Sequence, residues 1–166
     1  ITPMKTYIIL LVTVFSLFAC QKENEIKGDG SDKKICMTPP TLEIYINKDS
    51  KVAQEFLLAT GKVDSTFVSY INPKKEEKSL SRDNFHIMDQ DIHIHIVDFS
   101  LYTGKKDTIV LKNKNNSHQI TILGKRISED GCTWPELYQV WIDGKSVDKK
   151  YFSGFHLRWP NEPLSQ

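Results

Sequence analysis

The sequence predicts an all-β domain, specifically an antiparallel β-sandwich with at most one short helix. Three observations lead to this fold class. Apolar and polar residues alternate with period two through most of the chain after Cys36. Clusters of Gly, Pro, Asn and Asp separate these alternating runs. Only Ser50 to Thr60 has a helical pattern, with Gly61 as its expected stop.

The predicted strands bury every second side chain. They lie at Leu42 to Ile46, Ile92 to Ile96, Ile109 to Leu111, Ile120 to Ile122, Leu137 to Ile142 and Phe155 to Trp159. Asp143-Gly144 directly follows one of these strands and predicts a tight hairpin that returns through Lys145 to Val147. About six to eight short strands at this spacing are typical of immunoglobulin-like or transthyretin-like sandwiches.

Length and charge limit the possible architectures and partners. The chain has 166 residues, which suits one domain, placed here at 35–160 with a short tail at 161–166. Its formal charge is +1, and residues 1–19 contribute only Lys5 to the charged side chains. Without a basic excess, no nucleic-acid partner is expected.

The first nineteen residues are typical of an export signal. Lys5 precedes an apolar run from Tyr7 to Ala19, which is short for a membrane-spanning helix. Leu17 to Cys20 (Leu-Phe-Ala-Cys) resembles the lipobox of bacterial lipoproteins, although Phe18 is bulkier than usual. The resemblance implies cleavage before Cys20 and attachment of lipid to its sulfur. An ordinary secretory signal followed by a chance cysteine is the alternative.

Residues 20–34 are polar and glycine-containing, which predicts a solvated tether. Their start, Cys-Gln-Lys-Glu-Asn-Glu, resembles the acidic signal that sends lipoproteins of Bacteroidota to the outer cell surface. A generic hydrophilic spacer would also account for it. Together with the lipobox, this resemblance leads us to expect the protein at the outer membrane, with the domain on its periplasmic or cell-surface side.

The resemblance continues into the domain. Cys-Met-Thr-Pro-Pro at 36–40, Asp-Thr-Ile-Val at 107–110 and Tyr-Gln-Val-Trp-Ile-Asp-Gly-Lys at 138–145 are similar to small lipoproteins common in Bacteroidota. This likeness implies a β-sandwich on a lipid anchor and brings no specific activity with it.

Cys36 and Cys132 are the two cysteines of the predicted domain. In an exported protein two such thiols are expected to form a disulfide, because the compartment is oxidising. Two buried, unpaired cysteines are the alternative.

One polar stripe has metal-ligand chemistry. Asp89, Asp91, His93 and His95 occupy alternate positions, and alternate strand residues share one face. Two imidazoles about 6.6 Å apart along a strand can converge on one ion, with Asp91 as a further donor. The simpler interpretation is a solvated polar face opposite buried isoleucines. His86, His118 and His156 are further candidates that the spacing does not place.

Aromatic residues concentrate near the C-terminus, where they form either sandwich core or a flat surface for a glycan, peptide or protein. They are Trp134, Tyr138, Trp141, Tyr151, Phe152, Phe155 and Trp159. No catalytic or cofactor motif is recognisable. We therefore expect no enzymatic activity and no cofactor. The sequence favours a lipid-anchored binding or accessory module, with metal binding at His93 and His95 as the alternative.

Overall fold

The computed structural model describes residues 36–160. Within this range the regular structure consists of β-strands and two 3-10 helices. The strands are β1 (Cys36–Met37), β2 (Thr41–Asn47), β3 (Ser69–Ile71), β4 (Glu77–Ser79), β5 (Phe85–Met88), β6 (Asp91–Val97), β7 (Thr103–Lys112), β8 (Ser117–Glu129), β9 (Cys132–Ile142), β10 (Lys145–Ser146), β11 (Phe152–Ser153) and β12 (His156–Arg158). For residues 36–160, the prediction of a mostly β domain without a long helix is confirmed.

The segment with a helical pattern, Ser50 to Thr60, contains only a short 3-10 helix. The first 3-10 helix is Val52–Glu55, and the Ser50 hydroxyl oxygen accepts a hydrogen bond from the Ala53 backbone N–H at 3.2 Å. A second 3-10 helix, Lys149–Tyr151, exceeds the predicted maximum of one. It begins after Asp148, whose side chain accepts a hydrogen bond from the backbone N–H of the second helical residue.

The strands form two sheets. The large sheet has the order β1-β9-β8-β7-β3-β4, with β10 paired to β9, and the small sheet has the order β11-β12-β2-β6-β5. Most neighbouring strands are antiparallel, as predicted. Two pairs, β1 with β9 and β12 with β2, are parallel instead. Both involve strands of only two or three residues near the ends of the described chain, which reach their partners through loops rather than hairpins.

Both sheets supply residues to one hydrophobic cluster. In β6 the alternate residues Ile92, Ile94 and Ile96 are buried, and β2 buries its alternate apolar residues in the same way. Strands β7 and β8 follow the period-two rule with residues such as Leu111 and Ile120, whereas β9 buries Leu137 and then Val140 and so breaks the rule at its register shift. The alternating pattern therefore predicted the buried apolar residues of β2, β6, β7 and β8 correctly, but it was wrong for Leu137 to Ile142, where an irregularity in β9 leaves two successive residues exposed.

A buried tyrosine connects the two sheets. The Tyr102 hydroxyl donates a hydrogen bond to the Thr41 carbonyl oxygen in β2 at 2.6 Å, while its ring lies against Gly124 in β8. A Cβ atom at position 124 would lie 2.6 Å from the Glu136 carbonyl oxygen and 2.8 Å from the Tyr102 ring. Only glycine allows this close approach, at the point where the β8–β9 register shifts.

The Asp143-Gly144 hairpin forms as predicted between β9 and β10. Both residues have positive φ values, 48° and 78°, as the tight turn requires. Cys36 and Cys132 are direct partners in β1 and β9, with Cα atoms 4.4 Å apart and sulfur atoms within disulfide distance. The predicted pairing of these two cysteines agrees with this geometry.

Candidate metal site

Four of the five histidines of the chain lie on one face of the small sheet. Glu43 in β2 is the direct partner of His95 in β6 on one side and of His156 in β12 on the other. One pair further along the same face, His93 lies opposite His86 in β5. The pairing of four neighbouring strands, which the sequence does not reveal, thus gathers side chains distant in the chain.

The carboxylate of Glu43 lies at the centre of this group. Its Oε2 atom is 3.6 Å from Nε2 of His93 and 3.2 Å from Nε2 of His156, and its Oε1 atom is 3.4 Å from Nδ1 of His95. The Tyr45 hydroxyl donates a hydrogen bond to Oε2 at 2.6 Å and orients the carboxylate.

His93 is the most buried histidine of the group, at 6% exposure. Its ring stacks on Tyr45 with centroids 4.9 Å apart, and its Nδ1 atom lies 3.5 Å from Nε2 of His86. Its Nε2 atom is buried and has no hydrogen-bond partner among the described residues. A buried polar atom without a partner costs free energy, about 1–3 kcal/mol. Here that atom faces the Glu43 carboxylate.

The surroundings favour the protonation states that metal ligands need. Burial by itself would raise the pKa of Glu43, but the hydrogen bond from Tyr45 and the nearby histidines outweigh it and lower that pKa. Burial lowers the pKa of His93, which favours its neutral imidazole. Burial and the Glu43 hydrogen bond raise the pKa of Tyr45 to about 12, so its hydroxyl remains protonated.

The group fits a metal ion by donor type and spacing. One ligand atom from each of Glu43, His93 and His95 can be chosen so that all lie within 4.8 Å of one another. Two imidazole nitrogens and one carboxylate oxygen are a donor set used by zinc sites in proteins. Nε2 of His86 lies within hydrogen-bond distance of Nδ1 of His93, the ring nitrogen that does not face Glu43. Metal-bound histidines usually have an orienting hydrogen-bond partner at this second nitrogen.

The two predicted aspartates lie outside the group of described residues with metal-ligand spacing. Asp91 accepts two hydrogen bonds of 2.9 Å from the Arg158 guanidinium, so both of its carboxylate oxygens have a charged partner. Asp89 precedes β6 in a turn, with a φ value of 52°. Asp91, the predicted third donor, is paired with an arginine from β12, and the carboxylate with ligand spacing to His93 and His95 is Glu43 from β2.

The expectation of a solvated polar face holds for part of the stripe. His95 is partly exposed, whereas His93 is buried between Tyr45 and His86. Sequence reasoning missed Glu43, and it named His86 and His156 as candidates without being able to place them beside this pair. The available signal was weak: Glu43 occupies a polar position of the alternating strand β2, but strand register was needed to place it beside β6.

His118 lies in a different cluster. Its Nδ1 atom is 2.9 Å from Oδ2 of Asp143 and its Nε2 atom is 2.8 Å from Oε2 of Glu55. These contacts lie in a cavity of about 390 Å³ whose wall includes Trp159 and Lys145. Both ring nitrogens of His118 are therefore occupied by carboxylates, and its ring bridges the first 3-10 helix and the β9–β10 hairpin.

The C-terminal aromatic residues are divided between core and surface. Trp159 is buried at 5% exposure, whereas Trp134 and Trp141 are partly exposed. The Lys106 ammonium lies 4.3 Å from the centroid of a Trp141 ring. Tyr138 is exposed at 42%. Burial excludes Trp159 from an exposed aromatic surface, while Trp134, Tyr138 and Trp141 keep exposed area.

Other sequence predictions concern regions outside this site. Cys20, the predicted lipidation site, lies outside the described residues. Among residues 36–160, no helix is long and apolar enough to cross a membrane.

Comparison of the chain with protein-family models, curated proteins and solved structures gives no match.

Proposed function

We propose that this protein is an exported, lipid-anchored module that binds a divalent transition-metal ion through Glu43, His93 and His95. The observation that carries the proposal is the buried Nε2 atom of His93, which has no hydrogen-bond partner in the described chain and faces the Glu43 carboxylate. A metal ion between these atoms would compensate the cost of burying them.

The donor set favours ions of intermediate softness. Imidazole nitrogen suits zinc, copper and nickel, whereas magnesium and calcium prefer sites made entirely of oxygen donors. Glu43 supplies the negative charge, and His93 and His95 supply neutral nitrogen ligands. We infer zinc or copper as the ion class.

The proposed location rests on the N-terminal sequence. The likeness of Leu17 to Cys20 to a lipobox supports anchoring through lipid on Cys20, at the outer membrane on its periplasmic or cell-surface side. The polar stretch 20–34 would keep the domain clear of the bilayer. For the domain, the shared hydrophobic cluster of the two sheets supports a β-sandwich, and the spacing of the strands in the sequence favours an immunoglobulin-like or transthyretin-like type.

Direct metal titration tests the proposed function. Purified, metal-stripped protein titrated with Zn²⁺ in a calorimeter should bind one equivalent, and His93→Ala should weaken that binding by about 100-fold or more. Asp91→Asn is the matched control, because it lies on the same strand but pairs with Arg158. It should bind zinc with less than about a threefold change. Equal affinities of wild type and His93→Ala would refute the proposal.

A further inference from the structure

We propose that the cavity beside His118 is a second binding site, which takes a small organic anion made of an apolar body and one carboxylate group. Its volume of about 390 Å³ lies within the range of pockets that hold small molecules, about 300–1,000 Å³. Glu43, His93 and His95 are not part of its wall, so the inference goes beyond the proposed metal binding and does not depend on it.

Part of the cavity wall is apolar and belongs to the core of the domain. Ile142, Val147 and Trp159 line the cavity and are members of the hydrophobic cluster, with exposures of 8%, 7% and 5%. They come from the end of β9, from the segment after β10 and from the segment after β12. Because the surrounding core holds these side chains in place, this wall exists before a ligand binds.

The two carboxylates of the cavity already have partners. Asp143 and Glu55 lie at opposite ring nitrogens of His118, at 2.9 Å and 2.8 Å. The Gln119 backbone N–H donates to Oδ1 of Asp143 at 2.7 Å, and the Asn113 amide donates to Oε2 of Glu55 at 3.3 Å. Since both ring nitrogens face a carboxylate, both donate when the ring is an imidazolium. A cationic ligand would have to compete with these contacts.

The two lysines of the cavity are in the opposite situation. Lys51 and Lys145 line it and are exposed. Within the described chain neither lies within 4.0 Å of a carboxylate oxygen, in contrast to Lys78 and Lys112, which do. With His118 as an imidazolium, three cationic and two anionic side chains leave one positive charge on the wall. A ligand with a single negative charge therefore complements this wall.

The apolar and the charged parts of the wall adjoin each other. The ring of His118 makes an edge contact with Trp159, with centroids 5.2 Å apart and planes at 79°. A ligand whose apolar body covers Trp159 consequently has its carboxylate close to the charged side chains. The flexible stems of Lys51 and Lys145 allow their ammonium groups to approach that carboxylate.

NMR titration with 4-phenylbutyrate tests the site. This probe has an aromatic body and one carboxylate, whereas 4-phenyl-1-butanol has the same body without charge and acetate has the charge without the body. In metal-free protein, 4-phenylbutyrate should shift the indole N–H signal of Trp159. The indole signals of Trp134 and Trp141, which lie outside the cavity wall, should not move. The acid should bind about tenfold more tightly than the alcohol or acetate.

Substitution of the lysines tests the assigned ligand class. The double variant Lys51→Gln/Lys145→Gln should bind 4-phenylbutyrate about tenfold more weakly and should no longer prefer it to the alcohol. Lys105→Gln is the matched control, because Lys105 is exposed on β7 and outside the cavity wall. Its affinity should equal that of the wild type.

Three results would overturn the inference. They are an unshifted Trp159 indole at millimolar 4-phenylbutyrate, equal affinities of the wild type for the acid and the alcohol, and an unchanged affinity of the double variant for the acid. Each of them would leave the proposed metal binding intact, because the titration uses metal-free protein and involves none of the proposed metal ligands.

Discussion

Oε1 of Glu43 lies 3.4 Å from Nδ1 of His95, and the two residues are direct partners across β2 and β6. The other carboxylate oxygen accepts a hydrogen bond from the Tyr45 hydroxyl at 2.6 Å. Glu43 is therefore fixed from two sides and is the only carboxylate among the three residues that satisfy metal-ligand spacing in the described chain. This relationship makes Glu43 the most informative position for mutation.

Glu43→Gln is expected to weaken zinc binding by about 100-fold while leaving the fold intact. The amide keeps the size of the side chain and an oxygen that can accept the Tyr45 hydrogen bond, but it removes the negative charge. Isothermal titration calorimetry gives the zinc affinity, and thermal unfolding of the metal-free protein gives the stability.

Glu77→Gln is the control for this substitution. Glu77 lies on the large sheet, where it pairs with Lys112 at 2.9 Å on the surface. Zinc affinity should be unchanged in this variant. If Glu43→Gln bound zinc as tightly as the wild type, the carboxylate would have no part in a metal site.

His118 is expected to make the stability of the domain depend on pH. Burial by itself lowers the pKa of His118, but the hydrogen bonds to Asp143 and Glu55 outweigh burial and raise it. The stabilisation is fully present below the pKa of an unfolded histidine, about 6.5, and is lost as pH rises through the higher folded pKa. His118→Gln should lower the free energy of unfolding by about 1–2 kcal/mol at low pH and by less at high pH.

Urea unfolding of wild type and His118→Gln at about pH 5.5 and pH 8.5 measures this difference. Lys51 and Lys145 are the other charged groups that line the cavity beside Glu55, His118 and Asp143. Lys145→Gln is the control and should keep the pH dependence of the wild type. A stability difference between wild type and His118→Gln that did not vary with pH would contradict the proposed charge effect.

The sequence predicted the histidine pair but not the site around it. Alternation in β6 placed His93 and His95 on one face, because that periodicity is a local property of a strand. Glu43, His86 and His156 lie on three other strands, and their approach depends on sheet order and register. These are non-local properties that period-two patterns do not specify.

In the fold, too, features set by local sequence were predicted and features set by non-local strand pairing were not. The buried isoleucines of β6 and the Asp143-Gly144 hairpin follow from local patterns and were predicted. The parallel pairing of β12 with β2 was not, because a three-residue strand carries too little alternation to define its partner. That pairing also explains the contact of Asp91 in β6, whose carboxylate accepts a hydrogen bond from Arg158 of β12.

Asp98 is expected to be the most important buried charge of the described domain for stability. Its side chain is 2% exposed and accepts hydrogen bonds from Tyr70, Asn72, Lys78 and Ser100. Burial alone would raise the pKa of Asp98, but the hydrogen bonds, that from Lys78 foremost, hold this pKa well below its usual range. Asp98→Asn should therefore lower the free energy of unfolding by about 3 kcal/mol at neutral pH.

The effect of Asp98→Asn should shrink in acid. A carboxylate with a lowered folded pKa contributes its stability above the unfolded value of about 3.9 and loses it as pH falls through the folded value. Chemical unfolding of the wild type and of Asp98→Asn at neutral pH and at acidic pH measures the stability difference under both conditions. The exposed Asp83 provides the control substitution, Asp83→Asn, which should change stability by less than about 0.5 kcal/mol. If Asp98→Asn lowered the free energy of unfolding by an equally small amount, the stabilising role proposed for the hydrogen bonds of Asp98 would be contradicted.

Cys20→Ala is expected to release the protein from the membrane. The lipidation that the Leu17 to Cys20 motif predicts requires the sulfur, and each buried methylene of an attached chain is worth about 0.8 kcal/mol. The wild type, expressed with its natural leader, should partition into the detergent phase, and the variant into the aqueous phase. Asn24→Ala in the predicted tether is the matched control and should remain in the detergent phase. Detergent partitioning of Cys20→Ala equal to that of the wild type would mean that something other than lipid on this sulfur holds the protein, because alanine offers no atom to acylate at that position.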